Sequence, residues 1–557
     1  MQFPHVMGVE AREHPTLFGT KSSEYAIIVA QLVLLLLALK INKKCDALSP
    51  TLWILLPACL AAGLARARYN AAERRVVRLW QLVGSLSAIY ALFHYPLMPL
   101  ASGEPAIVGS FAVLLLAWVV SVLAGIGCFR IPSLALLPPS FLLWSNAMSE
   151  RVTGLPVTID IDIQPLTEVS ICIGLGLLIS QTTTRFWNAA EGPISDGTNQ
   201  RSAAGPQFAD LLLLIAVSVH LANYFWSFLT KMGLNGPPWA WLTENNPAYL
   251  FLVALDDGHV IFSGYPRVVA WAYWIFDKSY VFSNFWVLVC QGAAIAAFFL
   301  PRRLLIVLLV LFDVMHIAII IVAGANFWPW IVLNVIVAVV VARPDFQRQP
   351  IASRLIATAF ILVAPRFVQV TKLGWFDAGA NNKLFFEAVD DRGDRYAVPT
   401  NFFTFYSYAL GHMDYGAPAP TRALSFGPPN GGTWDYPTFK AGRACDLDRV
   451  LVDVGPKDWG YREGLTHFVR NYHRLALSLY ASLGGFPYDL YPHHFYVPTS
   501  ESEDFYRLDK RRIVAYIYRQ ESVCLSFEAG KLRRNVVATA EYRIDVTNAQ
   551  AGIDPGE

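Results

Sequence analysis

Residues 208–232 read FADLLLLIAVSVHLANYFWSFLTKM. A run of this length and apolarity can cross a hydrocarbon core of about 30 Å, which takes about 20 residues as a helix. It predicts a membrane span over 208–230. Within it, His220, Asn223, Ser227 and the terminal Lys231 follow one another at steps of three, four and four residues, so a helix gathers all four on one face. Polar groups left unsatisfied in hydrocarbon are costly, and the stripe is therefore expected to face the bundle interior, a partner or a water-filled pocket. The bland alternative is that His220 and Asn223 staple helices together while Lys231 reaches to the interface.

Similar blocks stand at 25–41, 50–65, 77–98, 106–128, 131–148, 166–183, 282–300, 303–323, 328–343 and 354–370. The expected fold is an α-helical integral membrane bundle of about eleven spans with a C-terminal soluble α+β domain. Its parts are N-terminal transmembrane helices over 1–150, a transmembrane core over 151–371 and a soluble domain over 372–557. Composition agrees: 55% of the 557 residues are hydrophobic and 15% charged, against about 25% charged in a typical soluble domain. A single soluble core is excluded, and the formal net charge of +2 gives nucleic acid binding no support. The run from Tyr25 to Leu39 lacks a small-residue cleavage site after it and reads as a retained span. Residues 247–275 are cut by Asp256, Asp257, His259, Gly264 and Pro266, which fits a broken or re-entrant segment.

Orientation follows Lys/Arg bias. Lys40, Lys43 and Lys44 lie in one loop while Arg66, Arg68, Arg74, Arg75 and Arg78 crowd the next, and both cannot be cytoplasmic across one span. Later, Arg302 and Arg303 mark one side, 324–329 is uncharged, and Arg343, Arg348 and Arg354 mark the first side again. With the basic loops cytoplasmic, the chain is a multi-pass protein of the cell membrane, and the last span delivers the tail outside, in a bacterium to the periplasm. There Cys445 and Cys524 could pair or stay as two buried thiols. In the tail, 384–389 and 395–398 flank an acidic Gly-containing turn and predict a hairpin. Residues 465–483 predict a helix, and 512–518, 522–527 and 535–546 alternate like strands.

A second intramembrane pair, Asp313 and His316, sits at i, i+3 within 303–323. A carboxylate can orient and charge an imidazole, though structural pairing is equally compatible with this spacing. Asn326-Phe327-Trp328-Pro329-Trp330 reads as an interfacial aromatic belt. Asp257 and His259 are candidates to line a polar cavity, and with the scattered cysteines they give no metal-ligand spacing. His467, His473, His493 and His494 read as surface histidines.

Tyr224 to Met232, with Trp239 beyond, resembles a signature of vitamin K-dependent gamma-glutamyl carboxylases, where a Tyr-Phe pair precedes a Lys-Lys-Leu ending and a Trp. The stretch from Asp313 to Val339 is similar to that family's next His-containing helix, and together they suggest the HTTM superfamily. The resemblance covers about residues 165–345. It implies that Lys231 is the base that deprotonates a hydroquinone, with Asp313 or His316 orienting the quinone or an oxyanion. Three departures stand out: Leu166-Thr167-Glu168 replaces an Asn-His pair, Thr230 the first Lys, and Phe228 a Gly. The implied function is a quinol-linked membrane enzyme with Lys231 and His316 catalytic, modifying a peptide or small molecule at the extracytoplasmic face. A non-catalytic assembly, transport or peptide-maturation partner is the alternative, and a quinone-binding electron-transfer subunit a third. An enclosed cavity shared by Lys231 and His316 is expected.

Overall fold

The computed structural model describes residues 22–45, 52–93, 105–153, 155, 160–190, 204–343, 346, 349–403, 410, 418, 432–446, 462–483 and 503–546. The membrane part comprises α1 (Ser22–Cys45), α2 (Leu52–Leu64), α3 (Ala71–Phe93), α4 (Pro105–Gly127), α5 (Leu137–Thr153), α6 (Asp160–Ala190), α7 (Ala204–Met232), α8 (Ala240–Glu244), α9 (Pro247–Asp256), α10 (Pro266–Ala293), α11 (Arg302–Ala323), α12 (Trp328–Val341) and α13 (Ile351–Val363). Among the described residues, five stretches have the length and apolarity to cross a membrane: Tyr25–Lys44, Ile161–Phe186, Gln207–Met232, Pro266–Phe299 and Arg302–Ala323. Each expected apolar block falls on helix over most of its described residues, with 50–51 and 94–98 lying outside them, but α2 and α13 have only 13 residues each, and α3 opens with Glu73, Arg74, Arg75 and Arg78.

α7 is the axis of the bundle. Within Gln207–Met232, 94% of the most apolar window is buried inside the protein, against 33% for Arg302–Ala323, so α7 is wrapped by other helices while α11 stands at the perimeter. A helix apolar all round is the pattern of such a central element.

The bundle has two chemically different ends. At one, Arg75 pairs with Asp210 at 2.5 Å, tying the start of α3 to that of α7, and Arg302 donates to the Ala342 carbonyl at 2.9 Å. Arg75, Arg78 and Arg343 line one hollow at this end, and Arg354 lines a second. At the other end, Lys43 donates to the carbonyls of Pro365 and Val368, where the chain leaves α13. The Lys40–Lys44 loop and the Arg66–Arg78 segment thus lie at opposite ends, so the two basic segments flank one span on its two sides.

Several boundaries differ from expectation. The 282–300 block belongs to a helix that starts at Pro266, because Pro at its first turn is preorganised for helix and the broken segment ends there. The 354–370 block stops at Val363, followed by a 3-10 turn at Ala364–Arg366 that contains Pro365. α11 ends on Gly324, whose φ of +68° is left-handed and whose missing Cβ lets the His259 carbonyl pack against it. Trp330 and Phe327 are buried in the bundle rather than belted around it, with Trp330 Nε1 donating to the Ile161 carbonyl at 3.1 Å.

The tail holds β1 (Phe376–Asp377), β2 (Ala380–Asp390), β3 (Arg395–Ala397), β4 (Gly432–Thr433), α14 (Tyr436–Ala444), α15 (Arg462–Leu483), α16 (Glu503–Arg507), β5 (Ile513–Glu528) and β6 (Lys531–Asp545). Four strands form an antiparallel sheet in the order β3-β2-β5-β6, and β1 pairs separately with β4. The predicted hairpin is β2–β3. The two strands expected over 512–518 and 522–527 are one, β5, because the charged break at Arg519–Glu521 is matched across the sheet: Arg519 pairs with Glu541 at 3.0 Å, and Glu521 with Arg534. Cross-strand ion pairs of this kind suit sheet positions. His473 is buried, not on the surface; Tyr516 lies 3.1 Å from its Nδ1, and burial pushes its pKa down to about 4. His467 Nε2 lies 2.7 Å from Asn471 Nδ2, whereas His493 and His494 lie outside the described residues.

Cys445 and Cys524 form a disulfide that ties the end of α14 to β5 across a separation of 79 residues. Cross-linking so long a loop removes entropy from the unfolded chain. Cys524→Ser is expected to lower tail stability by about 2–5 kcal/mol, read as an earlier denaturant midpoint in the non-reduced protein; an unchanged midpoint would contradict it.

Candidate functional site

The face predicted on α7 is real and inward: His220, Asn223 and Ser227 are all buried. Its residues serve two separate layers. In the tail-side layer, the carboxamide oxygen of Asn223 accepts from Thr371 N at 2.8 Å and Ser227 Oγ accepts from Leu373 N at 3.1 Å. Lys231 Nζ donates to the Leu373 carbonyl at 2.5 Å and lies 5.4 Å from the centre of the Trp241 ring. Gly374 passes so close that a Cβ there would stand 2.9 Å from Lys231 N.

Beside Lys231 lies Asp377. Its Oδ2 accepts from Asn245 Nδ2 at 2.9 Å, its Oδ1 from Trp375 Nε1 at 2.8 Å, and its own N donates to Asn245 Oδ1 at 2.6 Å. Burial pushes the Asp377 carboxyl up to about 6, opposed by the bonds from Asn245 and Trp375 and by the charge of Lys231. The amine of Lys231 and this carboxylate thus act on each other through their charges, beyond ion-pair distance.

The deeper layer is centred on Asn334 of α12. His220 Nε2 lies 2.7 Å from Asn334 Oδ1, the Tyr224 hydroxyl donates to the same oxygen at 3.1 Å, and Asn334 Nδ2 donates to Asp313 Oδ1 at 2.7 Å. His316 packs its ring against Tyr224, Phe327 and Trp330 at 5.5–5.8 Å between centroids. The structure brings His220, Asp313 and His316 into this one layer, but Lys231 is not in it. Lys231 lies seven residues beyond Tyr224, about 10 Å along the helix, and shares no bonded partner with His316. The expected common cavity therefore divides into two sites.

Asp257 and His259 do not line a cavity with them. Asp257 faces Lys383 of β2 at 3.5 Å, and its neighbour Asp256 meets Lys383 at 3.5 Å and Arg534 of β6 at 2.8 Å. His259 is buried against Gly324. Burial pushes Asp257 up to about 6, with Lys383 pulling down and Asp256 adding to the rise. This cluster is a fastening between membrane part and tail. Among the described residues, no group of three His, Cys, Asp or Glu could hold a metal ion.

Asn334, Asn245 and Asp377 escaped the sequence reading. Asn334 carried a usable signal, a lone amide in the apolar run 328–341. Asn245 and Asp377 carried none, because 132 residues separate the two partners. No protein-family model, curated protein or solved structure matches the chain.

An Asp whose pKa is raised on folding contributes stability that is fully present below its unfolded value and is lost as pH rises through the folded one. For Asp377 that window runs from about 3.8 to about 6. Asp377→Asn should therefore gain thermal stability relative to wild type as pH rises across that window, with the difference level above it. A difference that is flat, or that shrinks with pH, would contradict the assignment.

Proposed function

We propose that this chain is a multi-pass membrane enzyme of the HTTM, carboxylase-like kind, in which Lys231 moves a proton at the tail-side mouth of the bundle. The observation that carries the reading is the enclosure of Lys231 Nζ with the Asp377 carboxylate, the Leu373 carbonyl and the face of Trp241. A base works best when its protonated and neutral forms are both accessible, which desolvation of an amine favours. The Leu373 carbonyl holds the ammonium form in place, the charge of Asp377 favours it, Trp241 excludes water, and Asn245 fixes the carboxylate. An aromatic wall beside a proton-accepting nitrogen fits a hydroquinone ring, and such a cofactor would supply the acidic hydroxyl and the reducing equivalents, with dioxygen as their acceptor. The substrate would be a peptide or small molecule presented from the tail side.

The second reading, a non-catalytic membrane assembly, transport or peptide-maturation partner, draws support from Asn223 and Ser227. Asn223 accepts from Thr371 N while its Nδ2 donates to the Val219 and His220 carbonyls, and Ser227 bonds to the backbone of Thr371 and Leu373, which is a structural use of the stripe.

Detergent-extracted protein is expected to retain a quinone identifiable by mass spectrometry, and with the reduced quinone and dioxygen to fix labelled carbon dioxide into a Glu-containing peptide. Lys231→Met, which keeps the apolar stem, should abolish fixation while the bundle stays folded. Full activity in that variant, or a wild type with neither quinone nor fixation, favours the second reading.

For orientation, the concentration of Arg75, Arg78, Arg302, Arg343 and Arg354 at the end away from the tail supports a cytoplasmic position for that end. The tail then faces the periplasm in a bacterium, an oxidising setting that suits the Cys445–Cys524 disulfide. An impermeant thiol reagent applied to intact cells after reduction should label both cysteines. Labelling only after lysis would reverse the topology.

A further inference from the structure

Asp313 is the twelfth of 22 residues in α11, about 16 Å from the arginine-rich end and so near mid-depth of a hydrocarbon core. Its helix neighbours Val310, Val314 and Ile317 are exposed, as expected of a perimeter face turned to lipid, and Asp313 itself is only half-buried. Among the described residues it has no ion pair, and its one hydrogen bond is the 2.7 Å contact from Asn334 to Oδ1. A carboxylate anion supported by one neutral donor is costly at this depth, whereas a neutral acid there needs only an acceptor for its hydroxyl. Behind it, Asn334 leads to Tyr224 and His220, and the Nδ1 atoms of His220 and His316 are buried without a hydrogen-bond partner.

We propose that Asp313 is a neutral carboxylic acid opening on the bilayer, where it donates a hydrogen bond to a carbonyl-bearing head group of a bilayer-dissolved molecule. The carbonyl could come from an isoprenoid quinone or from an acyl-lipid ester. This site is separate from the Lys231 mouth and stands or falls without it.

The test is dicyclohexylcarbodiimide applied to the whole protein in nanodiscs, followed by peptide mass mapping. The acid O–H adds across the carbodiimide: the carboxyl oxygen bonds to the central carbon and the proton moves to one nitrogen. Acyl migration to nitrogen then gives a stable N-acylurea with nothing expelled. The expected result is gain of one intact reagent at Asp313, while a charged, water-soluble carbodiimide modifies exposed acids such as Asp391 and leaves Asp313 untouched. Mapping is done on the wild-type chain, so the test does not require Asp313→Asn to fold; where that variant folds, the adduct should vanish. Absence of the adduct, or labelling by the water-soluble reagent, would overturn the neutral acid facing lipid. An excess of short-chain quinone or of a diacylglycerol should lower labelling severalfold. Protection by one identifies the source, protection by both supports the carbonyl chemistry alone, and protection by neither overturns the head-group site.

Discussion

The structure depends on how the backbone leaves the helical bundle after α13. Residues 364–373 turn and then run extended at the tail-side end of a helical bundle, where a buried N–H or C=O left unpaired costs about 1–3 kcal/mol. Side chains from three helices satisfy it. Lys43 of α1 holds the carbonyls of Pro365 and Val368, Glu168 of α6 accepts from Gln369 N at 2.9 Å, and Asn223, Ser227 and Lys231 of α7 hold Thr371 and Leu373. The same bonds that satisfy this segment fix where the tail begins and how it enters β1.

From that start the tail is fastened twice more. Asn245 and Asp377 bond reciprocally within a layer that includes Trp241, Phe376 and Phe439. Farther along, Asp256 and Asp257 meet Lys383 and Arg534, and Tyr273 stacks on Phe527 at 4.4 Å. Charges gathered at a partly buried interface specify geometry better than they add stability, because desolvation offsets much of their attraction. One consequence is that α10 extends past the expected span: its first turns serve the tail contact, and only its later part is apolar enough to read as membrane from composition.

This distinction explains what the sequence made legible. Helix positions were readable because apolar blocks report transfer free energy residue by residue, and the inward face of α7 was readable because helical periodicity is local. The hairpin at 390–394 was readable for the same local reason, its turn chemistry. The partners were not. Nothing in the spacing of His220, Asn223, Ser227 and Lys231 reveals that three of them bind a backbone segment some 140 residues away while the fourth belongs to another layer. Asp257 and His259, two residues apart in the chain, suggest one cavity, yet one faces the tail and the other packs on Gly324. Strand continuity through Arg519–Glu521 likewise required knowing that Glu541 and Arg534 lie opposite.

The division of the α7 stripe also bears on which residues remain available for chemistry. Asn223 and Ser227 both donate and accept within the protein. A side chain whose hydrogen-bonding capacity is consumed by the fold can be changed only at the expense of the fold, so these are poor places for a reaction. Lys231 differs, because an ammonium has three donors and one carbonyl occupies only one of them. Asp377 beside it is held by neutral groups that orient the carboxylate without neutralising it. The deep layer has the complementary property: its hub, Asn334, is fully engaged, while the unused capacity lies at its rim, on the Nδ1 atoms of His220 and His316 and on the second oxygen of Asp313. Chemistry in this protein is therefore to be sought at the two ends of the polar stripe, and the residues between them hold those ends a fixed distance apart.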